Sequence, residues 1–352
     1  MSANHALVVL GAGATRACSF VNPNKGSCIP PLDADFFTQL QRVSAAKHQP
    51  QITAVMRDVV QLFGSNFAVS LETVFATLEH TIRMLRTTGS ERAYKRSDLE
   101  AMRDRLLGAI AIAMEASIAQ GSDRKSSQSP RDCKHHERLV KESLEPGDHI
   151  ISFNYDCVID HALREAGEGK WSARYGYGFD LGPRGRNLAG DDVWNAKLEA
   201  GRDTTIRLHK LHGSLHFQFK SETSRKVRLK ERPYTKQRGT PRYSIIPPES
   251  NKAYDKGMFA VLWKNAAAAI ARAKCIVVIG YSLPTTDLHA TALFRTSVRP
   301  EGLRSLVVVN PDRDARRRAR SVLQRGFSED TRVLSFDRFE EFLATDRSVW
   351  RN

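Results

Sequence analysis

No apolar run in the 352-residue chain approaches the roughly 18–20 residues a membrane-spanning helix requires, so no membrane association is expected. The opening "MSANHALVVL" lacks a basic segment followed by a long apolar one, and no export leader is expected on it. Cysteine is scarce. Cys18, Cys28, Cys133, Cys157 and Cys275 are odd in number and never form C-x-x-C, which fits neither a zinc ribbon nor a disulfide framework. A cytoplasmic protein with reduced thiols and no metal is the expectation. Acidic residues are also in deficit, 39 against 54 Lys+Arg, for a formal charge of +15. That excess favours polyanions, whether nucleic acid, an acidic partner or a phosphorylated small molecule, without choosing among them. No internal repeat is present. A hydrophobic content of 41% suits a folded core, with length enough for two domains.

"HALVVL" (5–10) reads as a short buried strand running into "GAGATRACSF". Helical patterning then dominates: "DADFFTQLQRV", "ITAVMRDVVQLF", "SLETVFATLEHTIRMLR" and "SDLEAMRDRLLGAIAIAMEASIA". A polar break, "GSDRKSSQSPRD" (121–132), follows. From residue 148 strands and helices alternate. "HIISF" precedes a helix over 156–166, "IRLHKLHGSLHF" is a strand turning at Gly213, and "KCIVVIG", "SLVVVN" and "TRVLSF" are strands separated by helical stretches. This alternation predicts an α/β fold with a doubly wound, mostly parallel, Rossmann-like sheet. Residues 1–32 and 148–352 would form it, with 33–147 as a large helical insertion between the first two strands.

The strand ends carry the chemistry. In "VVLGAGAT", Gly11 and Gly13 sit on a strand-to-helix turn where a backbone can approach a phosphate, although a tight turn alone would also use them. A dinucleotide dehydrogenase would place a third glycine where Arg16 stands, and an acid at a second strand end, which Asp33 and Asp35 do not satisfy. In "DHIISFNYDCVIDHAL" (148–163) a buried strand delivers Asn154 and Asp156 to its carboxyl end. Asp156 suits an N-cap and Asn154 a turn, but in open α/β sheets that edge is also where ligands bind. "LHKLHGSLH" brings His209, His212 and His216 near a turn. No carboxylate or thiolate beside them completes a metal set, whereas a histidine next to a glycine at a strand end suits general-base work. "VVIGYSLPTTD" ends in Gly280 and Ser282, and "LVVVNPD" in Asn310. Four strands finishing in small or polar groups describe a nucleotide-sized cleft.

Taken in order, "GAGAT", "FNYD", "LHGS", "GYSLPTTD" and "VVVNPD" resemble the sirtuin fold, over residues 1–32 and 148 to about 345. The spellings "FNYD", "KLHGS" and "IGYSLP" look most like the prokaryotic sirtuin-like group that degrades NAD in antiphage defence. Histone-type deacetylases carry four zinc-binding cysteines after the His-Gly. Here that interval, residues 220–248, holds none. The resemblance implies an NAD glycohydrolase with NAD as substrate and no metal. Asn154 would face the nicotinamide ribose, Asp156 the reactive end, and His212 the ribose hydroxyls or an attacking water. Gly11, Ala12, Gly13, Thr15, Gly280, Ser282 and Asn310 would help hold the dinucleotide. A deacylase or ADP-ribosyltransferase, or a nucleotide-sensing, nucleic-acid-binding subunit, are the alternatives.

Two further stretches bear on partners. The basic segment 225–242 (Arg225, Lys226, Arg228, Lys230, Arg232, Lys236, Arg238, Arg242) reads as a solvated loop or a nucleic-acid contact. "RDARRR" (313–318) reads as the exposed face of its helix. A freely running NAD hydrolase would exhaust its host, so control is expected through a homo-oligomer or through docking to a HerA-like ATPase or another defence partner. The insertion is expected to cover the pocket, and its apolar faces, such as Leu107, Ile110, Ile112 and Met114, to pack against copies of itself.

Overall fold

Five consecutive apolar residues, Ala6–Leu10, form the first strand of the computed structural model, every one of them buried. The structure describes residues 5–89, 93–120, 129–179, 181, 194–219, 227–230, 233–234, 245–246 and 256–351. Within them the strands are β1 (Ala6–Leu10), β2 (His149–Ser152), β3 (Arg207–Lys210), β4 (Phe217–Phe219), β5 (Val227–Leu229), β6 (Cys275–Ile279), β7 (Ser305–Val309) and β8 (Arg332–Phe336). Six of them make one parallel sheet in the order β3-β2-β1-β6-β7-β8. β1, β6 and β7 are buried along their whole length, which is why they read as unbroken apolar runs rather than alternating ones. The doubly wound parallel sheet expected from the sequence is present.

Strand order reverses between β1 and β6, the place where an open α/β sheet forms its ligand crevice. The carboxyl ends lie flush: Leu10 pairs with both Ser152 and Ile279, Ser152 with Lys210, and Ile279 with Val309. Backbone bonding continues one residue further, from Gly11 to Ile279, Phe153 to Leu10, Leu211 to Ser152 and Gly280 to Val309. The residues immediately beyond these ends therefore share one rim.

Helix α1 (Ala12–Arg16) follows β1, and then α2 (Phe36–Gln41), α3 (Gln49–Phe63), α4 (Leu71–Thr88) and α5 (Arg96–Ile118). Their limits follow local rules. Ser70 caps α4 by accepting from the Thr73 amide, and Gly64 and Gly89, both at positive φ, end α3 and α4. These helices close around a second apolar core, built on Phe36, Phe75, Leu78, Leu99, Leu106 and Ile110. It also takes in Val158, Leu215, Tyr234 and Ile245 from the later chain. One expectation is corrected here. Leu107, Ile110 and Ile112 are at most 5% exposed within this core, and Met114 is half-buried, so they present no free face to another copy. Periodicity identifies an apolar face but not what covers it.

Helix α6 (Lys134–Arg138), continued by a π-turn over Leu139–Ser143, leads to β2. Beyond it lie α7 (Val158–Ala166), α8 (Ala173–Gly176), α9 (Gly257–Arg272), α10 (Leu288–Ser297), α11 (Arg313–Leu323), α12 (Phe339–Ala344) and α13 (Ser348–Arg351). The structure differs from the expectation in several places: α7 starts two residues later, β4 and β5 pair antiparallel in a sheet of their own, α6, α8 and α9 are new, and α13 follows the helix expected to be the last. Among the described helices none is long and apolar enough to cross a membrane.

Candidate active site

A cavity of about 1070 Å³ opens over the carboxyl ends of β2, β1, β6 and β7, at the upper end of the range for small-molecule and cofactor sites. Ala12, Gly13, Thr15, Asn154, Asp156, His212, Gly280, Ser282 and Asn310 all line it. Gly11 alone of the expected site residues is not on its wall. The helical segment supplies a second wall through Phe36, Leu71, Glu72, Ile110 and Met114, and residues 337–340 a third.

The glycine turn has a different physical basis from the one expected. A Cβ on Gly11 would fall 2.5 Å from the Tyr281 Cα, and one on Gly13 2.7 Å from the Gly280 Cα. The Gly11 amide donates to Ile279 O and that of Gly13 to Gly280 O, at 3.1 and 2.9 Å. These glycines therefore seat α1 against the end of β6, and neither amide is available to a phosphate. Gly280 completes the contact at φ +60°, and its Cβ would lie 2.1 Å from the Ala14 amide nitrogen. Gly280→Ala is expected to cost at least about 3 kcal/mol, from positive φ and backbone overlap together. An unchanged midpoint in chemical denaturation would contradict this packing.

Asn154 and Asp156 fasten that turn to β2. Asn154 Nδ2 donates to Gly11 O at 2.9 Å and to Thr15 Oγ1 at 3.0 Å. Thr15 Oγ1 donates in turn to Asp156 Oδ2 at 2.8 Å, while Asp156 Oδ1 accepts from the Val158 amide at 2.9 Å. Asp156 thus closes a turn onto the first residue of α7, one position before the N-cap Cys157, and is also a member of the cleft. With both Nδ2 protons used, Oδ1 is what Asn154 retains for a ligand. Lys210, fully buried at the end of β3, donates to the Asp156 carbonyl and to Asp160 Oδ2, the latter at 3.0 Å. It is a positioning residue that the sequence reading passed over. A lysine inside a buried strand was the available signal.

The three histidines part company in space. His209 packs on His149, with ring nitrogens 3.1 Å apart, and does not line the cavity. His216 is buried between Ser214 and the Tyr177 hydroxyl. Only His212 reaches the cavity. Its Nε2 lies 3.3 Å from Asp287 Oδ2 and its ring stands edge-on to Phe153, centroids 4.9 Å apart. Asp287 is 3% exposed, caps α10 by accepting from the Ala290 amide, and accepts a hydrogen bond from the Tyr281 hydroxyl at 3.0 Å. A buried carboxylate against a histidine fixes the ring's orientation. In sequence Asp287 is the tail of the strand-end motif "VVIGYSLPTTD". Its pairing with a histidine 75 positions earlier is a tertiary fact.

The rim adds Arg318, whose Nε donates to Ser282 O at 2.9 Å and whose Nη2 lies 3.4 Å from Asp312. It is only half exposed, unlike Arg317 beside it, so "RDARRR" is not uniformly a solvent face. Arg16 is spent on Pro30 O and Asp35, both at 2.5 Å. The wall carries seven carboxylates (Asp33, Glu72, Asp156, Asp287, Asp312, Asp337 and Glu340) against three arginines (Arg16, Arg318 and Arg338). The +15 of the whole chain is therefore not concentrated in this cavity. Of the basic segment, Arg228 is exposed, while burial lowers the Lys230 ammonium to about 8. Arg225, Lys226, Arg232, Lys236, Arg238 and Arg242 lie outside the described residues.

The SIR2-like domain family matches residues 148–329, from β2 to the loop after α11. Comparison with curated proteins finds no match.

Proposed function

The chain belongs to the SIR2-like family, and on that premise we propose that it is an NAD glycohydrolase releasing nicotinamide and ADP-ribose. The observation that carries this reading is the His212–Asp287 pair on the wall of the same cavity as Asn154 and Asp156. With Asp287 beside its Nε2, His212 is the imidazole on the cavity wall that takes a proton from water or a ribose hydroxyl. Breaking the nicotinamide–ribose bond leaves positive charge on the sugar, as in glycoside hydrolysis. A cavity rich in carboxylates favours that state. Asn154 Oδ1 and Asp156 orient the ribose. Ala12, Gly13, Thr15, Gly280, Ser282 and Asn310 hold the remainder of NAD, and Gly11 acts through the carbonyl that anchors Asn154.

The spelling of the motifs supports a role as the effector of an antiphage defence system that depletes cytoplasmic NAD. Such an activity needs restraint. The helical segment forms one wall, and Thr286 donates to its Glu72 at 2.5 Å, tying that wall to the loop after β6. Assembly into a homo-oligomer, or docking to a HerA-like ATPase or nucleic acid through 225–242, would set access by preferring one position of that wall.

The test is product analysis of NAD incubated with the chain across protein concentration and with candidate partners. Equal amounts of nicotinamide and ADP-ribose are expected, rising with assembly. O-acyl-ADP-ribose from an acyl-lysine peptide, or ADP-ribosylated protein, would replace hydrolysis with transfer. Intact NAD in every state, together with salt-dependent nucleic-acid affinity, would leave a sensing subunit instead.

A further inference from the structure

We propose that Cys18, Cys133 and His136 form a buried zinc site that clamps the two ends of the helical segment beneath the glycine turn. Their ligand atoms lie within 4.8 Å of one another. His136 Nδ1 is 3.8 Å from Cys18 Sγ and 3.1 Å from Cys133 Sγ. Zinc bonds of about 2.3 Å to sulfur and 2.0–2.1 Å to nitrogen give a tetrahedral S···N edge of about 3.6 Å, between the two observed spacings. Both thiolate ligands and the imidazole suit zinc above harder cations.

Burial supports the same reading. The three residues are 4%, 2% and 1% exposed. Zn²⁺ displaces the two thiol protons to solvent and binds two thiolates and a neutral imidazole, so the loaded site carries no net charge into the interior.

Placement gives the ion a purpose. Cys18 lies two residues beyond α1, and Cys133 is the cap of α6, so 115 positions of chain separate the two thiols. That segment's ends are already stitched by the Lys134 amide on Ser19 Oγ and by His135 on Ala17 O. An ion here closes a long loop and holds the backbone three residues after Thr15, which contacts Asn154 and Asp156.

A second cluster, Cys157, Asp160 and His216, carries no such inference. The Lys210 ammonium already sits 3.0 Å from Asp160, and both His216 ring nitrogens have hydroxyl partners. Spacing hid the first site because only Cys133-x-x-His136 is local.

The full-length chain, purified without chelator after expression with added zinc, is analysed for metal and titrated as apoprotein with zinc. About one zinc per chain is expected, falling at least about fivefold in Cys18→Ser and in Cys133→Ser. Cobalt substitution should give the absorption of thiolate-bound tetrahedral metal, and it serves if either variant fails to fold. Zinc below about a tenth per chain after reconstitution, or full zinc in both variants, would overturn the site. So would a Cys18–Cys133 disulfide, seen as a native mass two hydrogens lighter. None of these readouts depends on NAD cleavage.

Discussion

His212→Ala is expected to lower NAD turnover by about 10²–10⁴-fold, the usual range for a positioned general base. The ring touches the cavity on one side and Asp287 and Phe153 on the others, so the variant also leaves a buried carboxylate without its histidine, and turnover is compared on protein shown by circular dichroism to be folded. Asp287→Asn is expected to cost about 10–100-fold while leaving α10 capped, since asparagine caps as well as aspartate. The amide keeps an acceptor for the Ala290 amide but loses the charge that orients the imidazole. A fall in kcat with KM and the thermal midpoint unchanged is therefore expected in Asp287→Asn, which a purely structural defect would not produce. Asn154→Ala is a poorer probe. It deletes two buried hydrogen bonds, each about 1 kcal/mol, and loosens the turn as well as the site. Turnover by His212→Ala within about threefold of the parent would remove His212 from the mechanism.

What the sequence disclosed about this site follows from what is local. Buried parallel strands announce themselves as apolar runs, and the residues just past them, Asn154, Gly280 and Asn310, fall on one rim because the register is flush. His212 joins that rim from β3. Asp287, Lys210 and the Cys18–Cys133 approach depend on chain distant in sequence, and no spacing rule reaches them. The neighbours of Gly11 and Gly13 are the backbone of Gly280 and Tyr281, which only the assembled sheet brings near. Helix α9 escaped notice because "GMFAVLWKNAAAAIAR" has neither a side-chain cap at Lys256 nor an acid in its first turn.

Acid is expected to unfold the chain between about pH 3 and 5, with the buried His209 and His216 and the half-buried His149 supplying much of the slope. Burial, with His209 and Arg272 nearby, pushes His149 down to about 2. His209 is pushed to about 3 by burial, with Arg207 and Arg272 adding, and His216 to about 3 by burial against the opposing pull of Asp160. In the unfolded chain each takes a proton near its ordinary value of about 6.5. The folded state therefore binds fewer protons from about pH 6.5 down to about 3. The stability these neutral rings represent is whole above 6.5 and is lost as pH falls through that window. Three protons correspond to about 4 kcal/mol per pH unit, so a typical stability of about 5–15 kcal/mol is consumed within it. His149 and His209 stack with ring centroids 5.4 Å apart, and His209 Nδ1 is buried without a hydrogen-bond partner, so an apolar pair can replace them together. In His149→Phe/His209→Leu the slope from these groups should fall to about a third, moving the acid midpoint lower by about one pH unit. Circular dichroism followed from pH 8 to 3 in both proteins makes the comparison. Superimposable acid transitions would show that the buried histidines do not set the limit.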